Sequence, residues 1–382
     1  MIESQRDLFD IPEGITYLNC ANMSPQLRAV GNAGIGAVRA RATPWTVTAP
    51  DWFSGAERLR DLFARIVNAE AEGIALVPSV SYGIATAAAN VPLSRGQSIL
   101  LLDREFPSNV YGWRELARER GAEVRTVRRE SGSTWTEAVI AAMDPGTAVV
   151  AVPNCHWTDG SLIDLARVGA AARSAGAALV VDASQSLGAH PLDVSEVQPD
   201  FLVTVGYKWL MGPYGLGYLY VAPRWRETGV PIEHSWMTRA GCEDFTRLTD
   251  YTDAHRDGAR RFDMGEFTQF VLTPMATAAL EQILAWGVGR TAETLATLTA
   301  QVARGAAEMG GSTLPAGQRV GHMVGVRLQG GLPDVLAGAL AAAKVYVSIR
   351  GDSIRVAPHL YNDGSDIDRL LVVLRRCIQQ AA

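Results

Sequence analysis

Between residues 74 and 222 the chain alternates short apolar runs with stretches of helical period. Ile74 to Pro78, Ser98 to Asp103, Glu123 to Arg129, Thr147 to Pro153, Ala178 to Val181 and Phe201 to Val205 read as strands. Ala178 to Val181 is apolar at every position, which marks a strand buried on both faces. Helical patterns separate the runs: one opens at Ser79-Val80-Ser81-Tyr82-Gly83 and continues to Asn90, another lies around Thr136 to Met143, and an amphipathic one covers 162–177. Repeated strand–helix–strand order predicts an α/β protein with a large doubly wound, mainly parallel sheet and helices on both faces.

The flanks read differently. Ile15 to Pro25 is a short extended segment ending in a turn, and residues 26–68 alternate helical pattern with the loop ATPWTVTAPDW, whose Trp45 and Trp52 fit either a pocket wall or plain core. Residues 223–273 are irregular and charged. A long helix starts near Pro274 and is punctuated near Gly287. Beyond it HMVGVRLQ, PDVLAGALAAA, VYVSIRG, DSIRVAPHLYN and SDIDRLLVVL predict a smaller C-terminal α/β domain. The expected organisation is therefore an N-terminal segment (1–25), a large domain (26–273), and a linking helix with the small domain (274–382).

Composition narrows the function classes. A chain of 382 residues, 48% hydrophobic, can bury one large core and a smaller one. Its 35 basic and 40 acidic residues are well mixed, so no nucleic-acid footprint is visible. Met1 to Pro12 lacks an apolar run and no later stretch could span a bilayer, so a cytoplasmic protein without membrane partners is expected. Cys20, Cys155, Cys242 and Cys377 are far apart, which fits reduced structural thiols, and no metal site is expected.

The chemistry concentrates in residues 178–222. One strand ends in Asp182 and the next in Gly206-Tyr207-Lys208. Strands of an open parallel sheet deliver their C-terminal ends to one rim, where ligands bind. A pyridoxal phosphate enzyme needs such a pair: the lysine forms the Schiff base, and the acid keeps the pyridine nitrogen protonated. An ordinary strand-end salt bridge fits the same two residues. Gln185, Tyr207 and the run Gly212-Pro213-Tyr214-Gly215-Leu216-Gly217 add weight to the first reading, since small residues let backbone approach a bulky ligand.

VDASQSLGAHPLD followed by DFLVTVGYKWLMGPYGLGYLYV resembles the signature of the class V aminotransferase-fold pyridoxal phosphate enzymes, which include cysteine desulfurases, kynureninase and isopenicillin N epimerase. The resemblance implies the fold type I architecture, pyridoxal 5'-phosphate as cofactor, a small amino-acid substrate, and a homodimer with shared active sites. It makes Lys208 the Schiff-base former and proton shuttle, Asp182 the partner of the ring nitrogen, and Gln185 the partner of the phenolic oxygen. Val80, Ser81 and Tyr207 are then expected to bind the phosphate, at a helix N-terminus suited to an anion, although Ser81 also fits a plain helix cap. Phe106 takes the ring-stacking position. Thr268, at the end of RFDMGEFT, corresponds to a contact with the other subunit's phosphate.

Further roles follow from the same resemblance. Arg355, in SIRVAPHLYN, is the expected clamp on the substrate carboxylate, because a guanidinium holds a carboxylate bidentately; Arg350 is a second anion binder. Asn22 and Met23 fall where the N-terminal segment approaches substrate. Trp157 stands where many members have an asparagine, so that contact is absent or is made by Thr158. His156 fits either an acid–base group or a satisfied structural donor. The expected reaction is transamination of an amino acid, with a kynureninase-like or C–S/C–C lyase or an epimerase as alternatives. A cysteine desulfurase is disfavoured, because Ala341 to Arg355 contains no cysteine.

Overall fold

The apolar runs form strands. The structure is a computed structural model and describes residues 1–130 and 132–381. Its strands are β1 (Thr16–Tyr17), β2 (Ile74–Val77), β3 (Ser98–Leu102), β4 (Glu123–Val127), β5 (Thr147–Pro153), β6 (Ala178–Asp182), β7 (Phe201–Val205), β8 (Gly217–Val221), β9 (Val324–Val326), β10 (Val345–Tyr346), β11 (Ser348–Arg350) and β12 (Ser353–Val356). Seven of them make one sheet in the order β2-β8-β7-β6-β5-β3-β4. Only β8 runs against its neighbours β2 and β7; the other pairings are parallel. A three-stranded antiparallel sheet, β11-β12-β9, lies in the C-terminal part, and the parallel pair β1–β10 joins the N-terminal segment to it.

Both faces of the large sheet are covered, and the period of two within each strand sorts side chains between them. Val150, Val152, Leu179 and Val181 point into one apolar layer; Val149, Ala151, Ala178 and Val180 point into the other. The first layer continues into the C-terminal part through Val324, Ile354 and Leu370. This explains why the middles of β5 and β6 are continuously apolar rather than alternating.

Caps set several boundaries that periodicity leaves loose. The helix expected over 162–177 runs Leu165–Ala175, because Asp164 accepts the Arg167 N–H at its start and Gly176 turns left-handed at its end (φ 74°). The helix Val80–Asn90 is capped by Ser79, which accepts the Tyr82 N–H at 3.2 Å, so the plain-cap reading of Ser81 does not hold. Gly287 (φ 78°) separates the helices Leu272–Trp286 and Val288–Glu308.

One buried ion pair fastens the β2 edge of the sheet. Arg60, on the helix Ser54–Val67, forks onto Asp263: Nη1 to Oδ1 at 3.0 Å and Nη2 to Oδ2 at 2.5 Å. Both side chains are fully buried. Arg60 Nη1 also donates to the Ile74 carbonyl, while Asp263 Oδ1 accepts the Leu76 N–H at 2.8 Å. Helix, strand and the loop Gly258–Phe262 are thus held by one satisfied network. Removing one partner strands the other charge in the interior. Asp263→Ala should lower stability by about 3–5 kcal/mol, read as a shift in the urea unfolding midpoint. The apolar pair Arg60→Met with Asp263→Leu should recover much of it; equal loss in both variants would show that the ion pair does not dominate here.

Candidate active site

Parallel strands bring their C-terminal ends to one rim, and β8, being antiparallel, brings its N-terminal end there. A cavity of about 260 Å³ lies on that rim. Its wall takes Ser79, Val80 and Ser81 from after β2, Glu105 and Phe106 from after β3, and Cys155 and Trp157 from after β5. Asp182 and Gln185 come from β6 and its exit, Tyr207 and Lys208 from after β7, and Tyr214 to Leu216 from before β8. Of the residues expected from sequence, Lys208, Asp182, Val80, Ser81, Phe106, Gln185 and Tyr207 therefore share one cavity.

The loop that carries Lys208 is built on close backbone approach. The Gly206 N–H donates to Leu216 O at 2.9 Å, and the Gly212 N–H donates to Gly206 O at 2.8 Å. A Cβ on Gly206 would sit 2.6 Å from Leu216 O, and one on Gly217 would sit 2.4 Å from Thr204 O. These glycines serve the chain's own packing rather than a ligand's approach; Gly215 (φ 86°) is the one on the cavity wall.

Burial shapes the electrostatics. The Lys208 amine, 5.3 Å above the Phe106 ring centroid, is pushed down to about 8, mainly by desolvation, with Asp182 opposing the shift and Arg355 adding to it. Burial raises the Asp182 carboxyl, and the Ser184 N–H donating to Oδ1 at 3.0 Å and the Lys208 charge work the other way. Gln185 spends one amide hydrogen on Ala21 O (3.0 Å), and its Oε1 accepts from Trp209 Nε1 (3.1 Å). An amide NH₂ has two hydrogens, so one is left for the cavity.

The remaining expected residues lie off the wall. Arg355, buried, donates from Nη1 to Trp157 O (2.8 Å) and from Nη2 to Ser348 Oγ (3.4 Å), and its Nε has no partner among the described residues. Arg350 sits with its guanidinium 5.5 Å from the Trp157 ring centroid. Thr158 Oγ1 is engaged by His156 Nδ1 at 2.7 Å; His156 Nε2 meets Asp103 O at 3.1 Å, and the ring stacks on Trp135. With both nitrogens occupied, His156 is a satisfied structural donor. Asn22 and Met23 are exposed, although the neighbouring Ala21 and Ser24 bond Gln185 and Tyr207. Thr268 lines a separate depression with Trp52 and Phe270, and its Oγ1 donates to Trp52 O.

Sequence reasoning missed Glu105 and the place of the Cys155 thiol on the cavity wall. Burial raises the Glu105 carboxyl to about 8, with the Phe106 N–H, donating to Oε1 at 2.6 Å, opposing that shift. Oε2 has no partner among the described residues. Its sequence setting, Arg-Glu-Phe-Pro, looks like a surface turn, and only its place between a strand end and a stacking aromatic hints otherwise. Cys20 and Cys155 are buried, and their thiols donate to Lys208 O (3.9 Å) and Gln185 O (3.3 Å). Burial pushes both well above the ordinary thiol value.

Residues 48–370 match the family model for class V aminotransferases. The chain belongs to that family. It is 29% identical to an uncharacterized aminotransferase, YcbU, of Bacillus subtilis over 80% of this chain and 79% of the relative. It is 32% identical to isopenicillin N epimerase of Streptomyces clavuligerus over 46% of each. A cysteine desulfurase structure from Thermococcus onnurineus superposes with a TM-score of 0.83 at 20% identity, covering 100% of this chain and 99% of that one, a likeness in fold. Class V members use pyridoxal 5'-phosphate. The wall suits it: the N-terminus of Val80–Asn90 with Ser79 and Ser81 for a phosphate, buried Asp182 for a ring N–H, and a buried amine beside an aromatic face.

Borohydride reduction of the cofactor-loaded protein followed by peptide mapping should therefore place the phosphopyridoxyl group on Lys208. Finding it on Lys344, the only other lysine in the chain, would overturn the assignment. The neutral amine is the nucleophile, so cofactor capture by the apoprotein should accelerate as pH rises through about 8. A stopped-flow profile that climbs only near the ordinary lysine value of 10.5 would show that the amine is not desolvated.

Proposed function

We propose that the protein acts at the α-carbon of a small amino acid as an aminotransferase. One observation carries this reading: a buried amine lowered to about 8 shares a cavity with a buried carboxyl, with a buried guanidinium close enough to depress the amine further. Bound pyridoxal phosphate supplies the electron sink. Lys208 holds and moves the proton at Cα, and its lowered affinity lets it do so near neutral pH. Asp182 holds a ring N–H at the cofactor end. Arg355 orients the substrate carboxylate, its unpartnered Nε being free to donate. Phe106 and Trp157 pack edge to face at 5.6 Å and exclude water. Transamination asks for no acid–base group beyond the lysine.

A carbon–sulfur or carbon–carbon lyase is the second reading. It is supported by Glu105, whose raised affinity keeps a proton available on the cavity wall for a departing group. A desulfurase has less support, because no cysteine lies between Ala341 and Arg355.

The same reading makes the protein a cytoplasmic homodimer with shared sites, Thr268 reaching the partner's phosphate. Sedimentation velocity should give twice the chain mass; a monomer at micromolar concentration would refute a shared site.

Incubating the holoprotein with amino acids, with and without an α-keto acid acceptor, separates the reactions by mass spectrometry. Acceptor-dependent keto product supports transamination, acceptor-independent cleavage the lyase, and inverted substrate an epimerase. Arg355→Lys keeps the charge but loses the planar fork, so substrate affinity in a spectral titration should fall about tenfold or more. An unchanged titration would remove Arg355 from the carboxylate site.

A further inference from the structure

Two arginines stand on one face of the small antiparallel sheet. Ser348 of β11 pairs directly with Arg355 of β12, and Arg350 pairs with Ser353. Directly opposed residues point to the same face, and residues two apart on a strand share it. Arg355, Ser348 and Arg350 therefore project together, the two arginines as diagonal neighbours about 7–8 Å apart at the backbone.

Both bracket Trp157. Arg355 donates to its carbonyl, and Arg350 lies over its indole at 5.5 Å. Trp157 in turn meets Phe106 edge-on, and Phe106 lies under Lys208 Nζ at 5.3 Å. An aromatic shelf thus runs from the reacting amine to Arg350, with Arg355 at its side.

The shelf is short of negative charge. Among the described residues neither arginine has a carboxylate within 4.0 Å. Asp352, the acid nearest Arg350 in sequence, lies 3.3 Å from Arg327. The Nε atoms of both arginines are buried and unpartnered. The two cations work against each other: after burial, Arg350 is the largest influence lowering Arg355, and both arginines lower Lys208. One substrate carboxylate leaves one of these guanidiniums unmatched.

We propose that the substrate is an amino dicarboxylic acid, with the α-carboxylate on Arg355 and the side-chain acid crossing Trp157 to Arg350. This rests on Arg355 being the α-carboxylate clamp. Its bland competitor is an arginine that merely stacks on a half-buried tryptophan.

The test uses holoprotein and two unreactive probes, glutarate and butyrate, each titrated by its perturbation of the cofactor's visible absorbance band. Glutarate should bind about tenfold or more tightly than butyrate. In Arg350→Gln that preference should collapse to within about twofold, and Arg350→Lys should retain part of it. An unshifted absorbance band in the ligand-free variants shows that the site is intact. A wild type without preference for glutarate, or an Arg350→Gln variant that keeps it, overturns the dicarboxylate inference alone. Butyrate binding untouched by Arg355→Lys overturns the clamp itself, and the inference with it.

Discussion

The parallel pairing of β6 with β7 is the constraint on which the site depends. Asp182 is the last residue of β6 and is registered with Val203, so the chain leaving β7 delivers Lys208 to the same rim. Asp182 could not be moved to water without breaking the ladder, because β6 is buried along its whole length. Desolvation then acts on both in the direction that disfavours charge, lowering the amine and raising the carboxyl. Each partly restores the other. A reactive amine near neutral pH is thus a consequence of where the sheet ends, not of any special property of the lysine.

The rim is held open by contacts at some distance from it. Arg60 and Asp263 anchor the strand that leads into Ser79 and the helix Val80–Asn90. Glycines at 206 and 217 let the lysine loop fold back on itself, where a Cβ would collide with a backbone carbonyl oxygen. Gln185 links the N-terminal segment to Trp209, and its carbonyl also meets His322 Nε2 at 2.7 Å. His322 and His359 are fully buried and lowered to about 3, so they are neutral packing groups behind the site rather than proton carriers.

Charge is distributed unevenly across the cavity. Asp182 and Glu105 stand on the wall with carboxyls raised by burial, while Arg355 and Arg350 lie off the wall beside Trp157.

The sequence by itself determined the sheet and most of its strands, because uniformly apolar five- to seven-residue runs have no other stable place than a two-sided interior. Thr147–Pro153, Ala178–Asp182 and Phe201–Val205 stand where the pattern puts them. It also carried the family resemblance in one chain segment, and with it the cofactor and the lysine and acid expected to serve it. Tertiary structure decided the rest. Glu105 reads as a surface charge until the fold removes its water, and Ser81 reads as a cap until Ser79 takes that role. Thr158 is turned to His156, and Arg350 becomes the neighbour of Arg355 only through the pairing of β11 with β12. Desolvation, hydrogen-bond competition and cross-strand register are properties of neighbours far apart in sequence, and a linear pattern holds no record of them.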